Sequence, residues 1–272
     1  MLDAHDRAEV LDLLARDPVA NVFVEARIHA AGRDFRMLGG ELWGYPDNGP
    51  LASVCYAGAN LVPAESTPEA VSLFAERARR QGRRCSSIVG PASEVSMLWE
   101  LLEPSWGPAR DVRADQPLMA TSRRAPIAPD PAVRPVRPSE LDVLMPACVA
   151  MFTEEVGVSP LHAGGEALYR ARVAELIASG RAFARLEDGQ VVFKAEIGAA
   201  TRDVCQVQGV WVTPERRGEG LSAPGMAAVL DHTLREVAPT VSLYVNDFNT
   251  AARAAYRRAG FAEVGTFMSV LF

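Results

Sequence analysis

At 272 residues the chain exceeds a typical single domain, so two domains are expected. Apolar residues make up 49%, enough for two cores, and a formal net charge of −6 with no basic run argues against a nucleic-acid binder. The N-terminus MLDAHDRAEV is too acidic and polar for a signal peptide, and no apolar run approaches a membrane span, so a cytoplasmic protein without membrane contact is expected.

Apolar periodicity predicts helices over His5–Leu14 and Val19–His29. Strands follow at Met37–Tyr45 and Leu51–Val62, then a helix at Pro68–Gln81, a strand at Ser86–Val89, a helix at Ala92–Leu102 and a strand near Leu118–Thr121. Ser122–Val133, SRRAPIAPDPAV, has three prolines and no hydrophobic period and reads as a linker. Cys55, Cys85, Cys148 and Cys205 are scattered without a C-x-x-C, and the four histidines are as dispersed, so no disulfide framework and no metal site is expected.

The second half begins with a strand at Val133–Arg137. A helix capped by Ser139 then runs to Glu155 with a kink at Pro146, and a second helix covers Gly165–Ser179. Strands are predicted at Ala182–Leu186, Val191–Gly198 and Val204–Val212. The stretch Val210–Ala223, VWVTPERRGEGLSA, is the most informative of the chain: a strand breaks into an Arg/Gly-rich turn and reopens as a helix running to Val237. Unpaired amides at such a helix start, with the positive end of the dipole behind them, form an anion site sized for phosphate. Gly218 and Gly220 let backbone approach a ligand, and Arg216 and Arg217 add charge. A plain strand-to-helix turn has the same look.

After that helix come the strand Val241–Val245, the segment NDFNTAARAAYRRAGF (Asn246–Phe261) and a last strand, Val264–Leu271. Asn249, Ala252, Tyr256, Gly260 and Phe261 follow the order N-x-x-A-x-x-x-Y-x-x-x-G-F. Together the two segments resemble the GNAT superfamily of N-acetyltransferases. Its acetyl-CoA loop, R/Q-x-x-G-x-G/A, is matched by Arg217 and Gly220, with Ser222 as a departure in the last place. The resemblance covers about Arg134–Phe272, and the first half looks like a faint copy of the same plan. The fold class implied is α+β: two GNAT-like domains, each a mixed, mostly antiparallel sheet with helices on both faces. Residues 1–121 form the first and 134–272 the second, joined by 122–133. In the first, PAESTPEA (Pro63–Ala70) replaces the glycine loop with acids that would repel a pyrophosphate, which suggests a degenerate domain; an unrelated α/β domain is the alternative.

The resemblance implies acetyl-CoA as cofactor, held by Val210, Trp211 and Val212, by Arg217, Gly218, Glu219, Gly220, Leu221, Ser222 and Ala223, and by Asn249, Ala252 and Tyr256. A backbone N–H near Val210 would polarise the thioester carbonyl. Tyr256 is the implied general acid, its ordinary pKa of about 10 close to that of an alkyl thiol; a core role fits its spacing as well. Asn249 is read as both cofactor contact and helix cap. For the base, Glu196 shares a strand face with Lys194 and is either the proton acceptor or an ordinary exposed partner of that lysine. Gln206 and Gln208 stand where relatives place a carboxylate, and an amide cannot take the proton. Glu154 and Glu155 either draw in a cationic amine or face solvent. The expected partner is a small-molecule or peptide amine acceptor, with a homodimer left open. A CoA-binding regulator without turnover is the competing reading.

Overall fold

Two passes through one order of elements build the chain: two helices, three strands, then helix, strand, helix and strand. The computed structural model describes residues 1–272, apart from the side chain of Ala163. The first pass is α1 (Arg7–Leu14), α2 (Pro18–Ala31), β1 (Gly40–Tyr45), β2 (Ser53–Gly58), β3 (Asn60–Ala64), α3 (Pro68–Gln81), β4 (Ser87–Pro91), α4 (Ala92–Trp106) and β5 (Asp111–Thr121). A short strand, β6 (Arg134–Pro135), precedes the second: α5 (Leu141–Val156), α6 (Glu166–Ala178), β7 (Ala182–Glu187), β8 (Gln190–Ala200), β9 (Val204–Val212), α7 (Ser222–Glu236), β10 (Thr240–Tyr244), α8 (Thr250–Arg258) and β11 (Ala262–Leu271). Among the described residues no helix is long and apolar enough to cross a membrane.

One compact unit holds Met1–Met119, Tyr244–Phe248 and Glu263–Phe272. Its strands run in the order β1-β2-β3-β4-β11-β5, with β3 and β4 parallel. Residues 263–272, read from the sequence as the end of the second domain, line up antiparallel against β4, Phe267 opposite Pro91 and Leu271 opposite Ser87. α1 and α2 cover one face through Val10, Leu14 and Ile28, and α3 and α4 the other through Phe74 and Leu98. Proline opens both α2 and α3, where a missing N–H costs nothing, and Asp17 and Thr67 cap them by accepting from Ala20 and Ala70 amides at 3.0 and 3.3 Å. The single strand expected over Leu51–Val62 is two, β2 and β3, turning over residues 58–60 with Ala57 opposite Leu61. Both strands are buried along much of their length, so hydrophobicity alone does not mark the break.

The other unit holds Ala120–Leu243 and Asn249–Ala262, with strand order β10-β9-β8-β7-β6; β9 and β10 are parallel and the rest antiparallel. α5 and α6 lie on one face with Ala182, Ala184 and Trp211. α7 lies on the other, so close that a Cβ at Gly225 would come within 2.8 Å of the Phe193 ring. Ser139 does not cap α5: it sits in a 3-10 turn, Pro138–Glu140. The Glu140 carboxylate accepts from the Arg137 amide at 2.8 Å instead, and its bond to Arg134 holds its pKa down at about 2.

Candidate active site

β9 and β10 pair only from Val204–Thr240 to Gln206–Ser242. Beyond Gln206 the strand keeps β8 on one side and, among the described residues, has no β10 partner on the other. Val210, Trp211 and Val212 lie on this unshared edge, while Gln206 is buried where the two strands still pair. Past Val212 the chain makes a 3-10 turn, Pro214–Arg216, and enters α7 at Ser222. Gly218 and Gly220 take φ of +85° and +79°, the left-handed region open to glycine, and a Cβ at either would meet nothing within 4 Å. Among the described residues none of the N–H groups of 218–223 donates to a backbone carbonyl, and α7 starts without a side-chain cap. A helix start in that state presents its first amides, and the positive end of its dipole, to an anion.

The charged side chains around the loop are committed to one another. Arg216 reaches Glu219 at 2.6 Å and Glu187 at 2.5 Å. Arg217 donates to the Val212 carbonyl at 3.0 Å and to Glu154 Oε2 at 2.6 Å, and Trp211 Nε1 donates to Glu154 Oε1 at 3.1 Å. Glu154 therefore ties the end of α5 to the loop mouth while its side chain stays exposed to solvent. Both arginines already have carboxylate partners, so the groups the loop leaves open are its backbone amides.

Asn249 caps α8, its side chain accepting from the Ala252 amide at 3.1 Å. Tyr256 is the one buried residue of α8, edge-on to Phe261 with centroids 6.3 Å apart. Burial, and after it the nearby Glu155 carboxylate, push its phenol well above the ordinary value. The near match with a thiol expected from the sequence does not hold; the group stays protonated throughout the neutral range.

Glu196 is the partner of Lys194, but buried (8% exposed) and not on the surface. Lys194, 1% exposed, donates through Nζ to Glu196 Oε2 at 3.2 Å and to the Gly209 carbonyl at 2.9 Å. Gln208 Nε2 donates to the other oxygen of Glu196 at 3.0 Å. Lys194 lies opposite Trp211 and Glu196 opposite Gln208, so Gly209 and Val210 share one place against β8: a β-bulge, with Gly209 at φ +58°. Sequence reasoning missed this bulge and the part Lys194 plays in it. The signal available was a glycine inside an otherwise apolar strand.

Residues 151–261 match the family model described as Acetyltransferase (GNAT) family, and residues 40–144 match a domain of unknown function, DUF4081. Among solved structures, a Drosophila protein superposes with a TM-score of 0.67 at 12% identity, covering 100% of this chain and 97% of that one. A GNAT-family acetyltransferase from Colwellia psychrerythraea gives 0.56 at 14% identity over 86% of this chain and 85% of its own. A tandem GNAT protein from the clavulanic acid biosynthesis pathway gives 0.56 at 16% identity over 99% and 97%. At such identities these likenesses speak for the fold, while the family match speaks for the second half. Residues 151–261 thus form a domain of the GNAT acetyltransferase family, and the fold of the chain is one it shares with a tandem GNAT protein.

Proposed function

We propose that the protein is an acetyl-CoA-dependent N-acetyltransferase acting on the primary amine of a small molecule or peptide. The observation that carries the reading is one coincidence: the unshared edge of β9 runs straight into an open glycine loop whose amides have no backbone acceptor among the described residues. Amides of residues 218–223 would hold the diphosphate, the edge Val210–Val212 the pantetheine arm, and Asn249, Ala252 and Tyr256 the far wall. When bound, the cofactor supplies an acetyl thioester. The Val210 N–H would donate to the carbonyl oxygen as charge develops there, and Tyr256, kept protonated by burial, would donate a hydrogen bond to the departing sulfur, which takes up the proton that the acylated nitrogen loses.

Glu196 has both oxygens engaged by Lys194 and Gln208, and Glu154 both engaged by Trp211 and Arg217. The amine therefore arrives as its own neutral fraction, and these carboxylates shape and charge the groove. The rate should then climb tenfold per pH unit up to the amine's own pKa; a break well below it would reveal a carboxylate base.

The first unit has lost the cofactor site in this reading. In its β3–α3 connection the Ser53 hydroxyl donates to the Glu65 carbonyl at 2.9 Å and accepts from the Thr67 amide at 3.1 Å, and Asn21 holds the Glu65 carboxylate at 2.8 Å. The Glu94 carboxyl is buried against Ser66. A site already filled by its own side chains, two of them acidic, has no place for a diphosphate.

Following free thiol from acetyl-CoA across peptides, polyamines and aminosugars tests the proposal. Thiol release with at least one amine class is expected. Tight CoA binding with no release from any of them would favour a CoA-binding regulator.

A further inference from the structure

Lys194 is the chain's single lysine, and its ammonium is shut inside the second unit. Desolvating an ammonium is costly unless partners replace the lost water. Glu196 supplies the counter-charge, and the remaining contact falls on the Gly209 carbonyl, inside the bulge of β9. That carbonyl and the N–H of Val210 belong to one trans peptide, which carries its C=O and N–H on opposite sides. A carbonyl turned toward Lys194 therefore turns the Val210 N–H away from it. A cation on the oxygen also draws electron density through the amide and strengthens the N–H as a donor.

The surroundings leave this peptide little freedom. Gly209 holds φ +58°, and a Cβ there would sit 3.0 Å from Lys194 Nζ, 3.0 Å from Met151 Cε and 3.1 Å from Glu196 Cδ. Gln208 fixes the second oxygen of Glu196, so the counter-ion cannot swing away without losing a bond.

We infer that Lys194 is a positioning residue: it locks the Gly209–Val210 peptide so that the Val210 N–H is a pre-aimed, strengthened donor, with Glu196 as counter-ion and not as proton acceptor. This rests on the reading that the β9 edge receives an acyl thioester. It differs from that reading in making a claim about the ligand-free protein.

The double substitution Lys194→Met with Glu196→Gln removes both charges and keeps the volume. In the ligand-free protein the Gly209 carbonyl and Val210 amide resonances should move, while those of loop 217–222 stay. Calorimetry should find CoA affinity unchanged, and kcat for acyl transfer should fall about 100-fold, the scale of losing one oxyanion donor. A folded variant with wild-type kcat, or with both resonances unmoved, overturns the inference. If the wild type binds CoA and transfers nothing, the transferase reading falls and the resonances alone decide the peptide's positioning. A measurement without substitution covers a variant that does not fold. The Lys194 ammonium protons of the wild type should exchange slowly and couple across a hydrogen bond to the Gly209 carbonyl carbon; fast exchange without coupling overturns the inference.

Discussion

Gly220 and Gly209 both hold positive φ, and for opposite reasons. Gly220 borders open space, so its use is to let something approach; Gly209 is hemmed in by side chains, so its use is to let the bulge close. Gly220→Glu should abolish CoA binding, because the carboxylate would enter anion space, and should lower the melting temperature through the strain of a side chain at φ +79°; unchanged affinity in the folded variant would refute the site. Gly209→Ala should destabilise by about 1–3 kcal/mol, the range for non-glycine backbone strain, and lower kcat in the fraction that folds. Tyr256→Phe should cut kcat more than CoA affinity, and equal loss of both would reduce the tyrosine to packing. Glu94 makes a separate prediction for stability. Burial raises its pKa from 4.5 to about 7. The folded state keeps a proton that the unfolded chain sheds between those values, so stability falls as pH rises through that window and then levels. Glu94→Gln should flatten the fall and raise stability at pH 8 by about 3 kcal/mol; an unchanged denaturation profile from pH 4 to 8 would contradict it.

Among the elements, α3 occupies the span its Thr-Pro start and glycine stop prescribe, Pro68–Gln81, and α8 follows its Asn249 cap. Local signals of that kind are legible because the residues that specify the element lie within it. The β2–β3 hairpin was not, because two strands with buried faces merge into one apolar run. The Lys194 network was not legible either. Period-two spacing puts Lys194 and Glu196 on one face, but the Gly209 contact depends on two register shifts between β8 and β9. The buried, two-donor state of Glu196 depends on the same shifts. The splay of β9 from β10 is the element-level feature on which the proposed chemistry turns, and hydrogen exchange reads it. Amides of 218–223 and of Val210 should exchange fast in the free protein and slow on adding CoA, with β8 amides unaffected. Equal protection before and after would mean that the edge receives nothing.

At the scale of the whole molecule, one plan is used twice and only one copy keeps an open loop. The order of elements repeats, yet the β3–α3 connection is closed by Ser53, Asn21 and Thr67 where the β9–α7 connection leaves its amides bare. On the proposed function, that asymmetry sets the stoichiometry of the cofactor. Isothermal titration of the intact chain with coenzyme A tests it most directly. The account predicts one molecule bound per chain, abolished by Gly220→Glu and untouched by substitutions in Pro63–Glu69. No heat at all, or two molecules per chain, would contradict it.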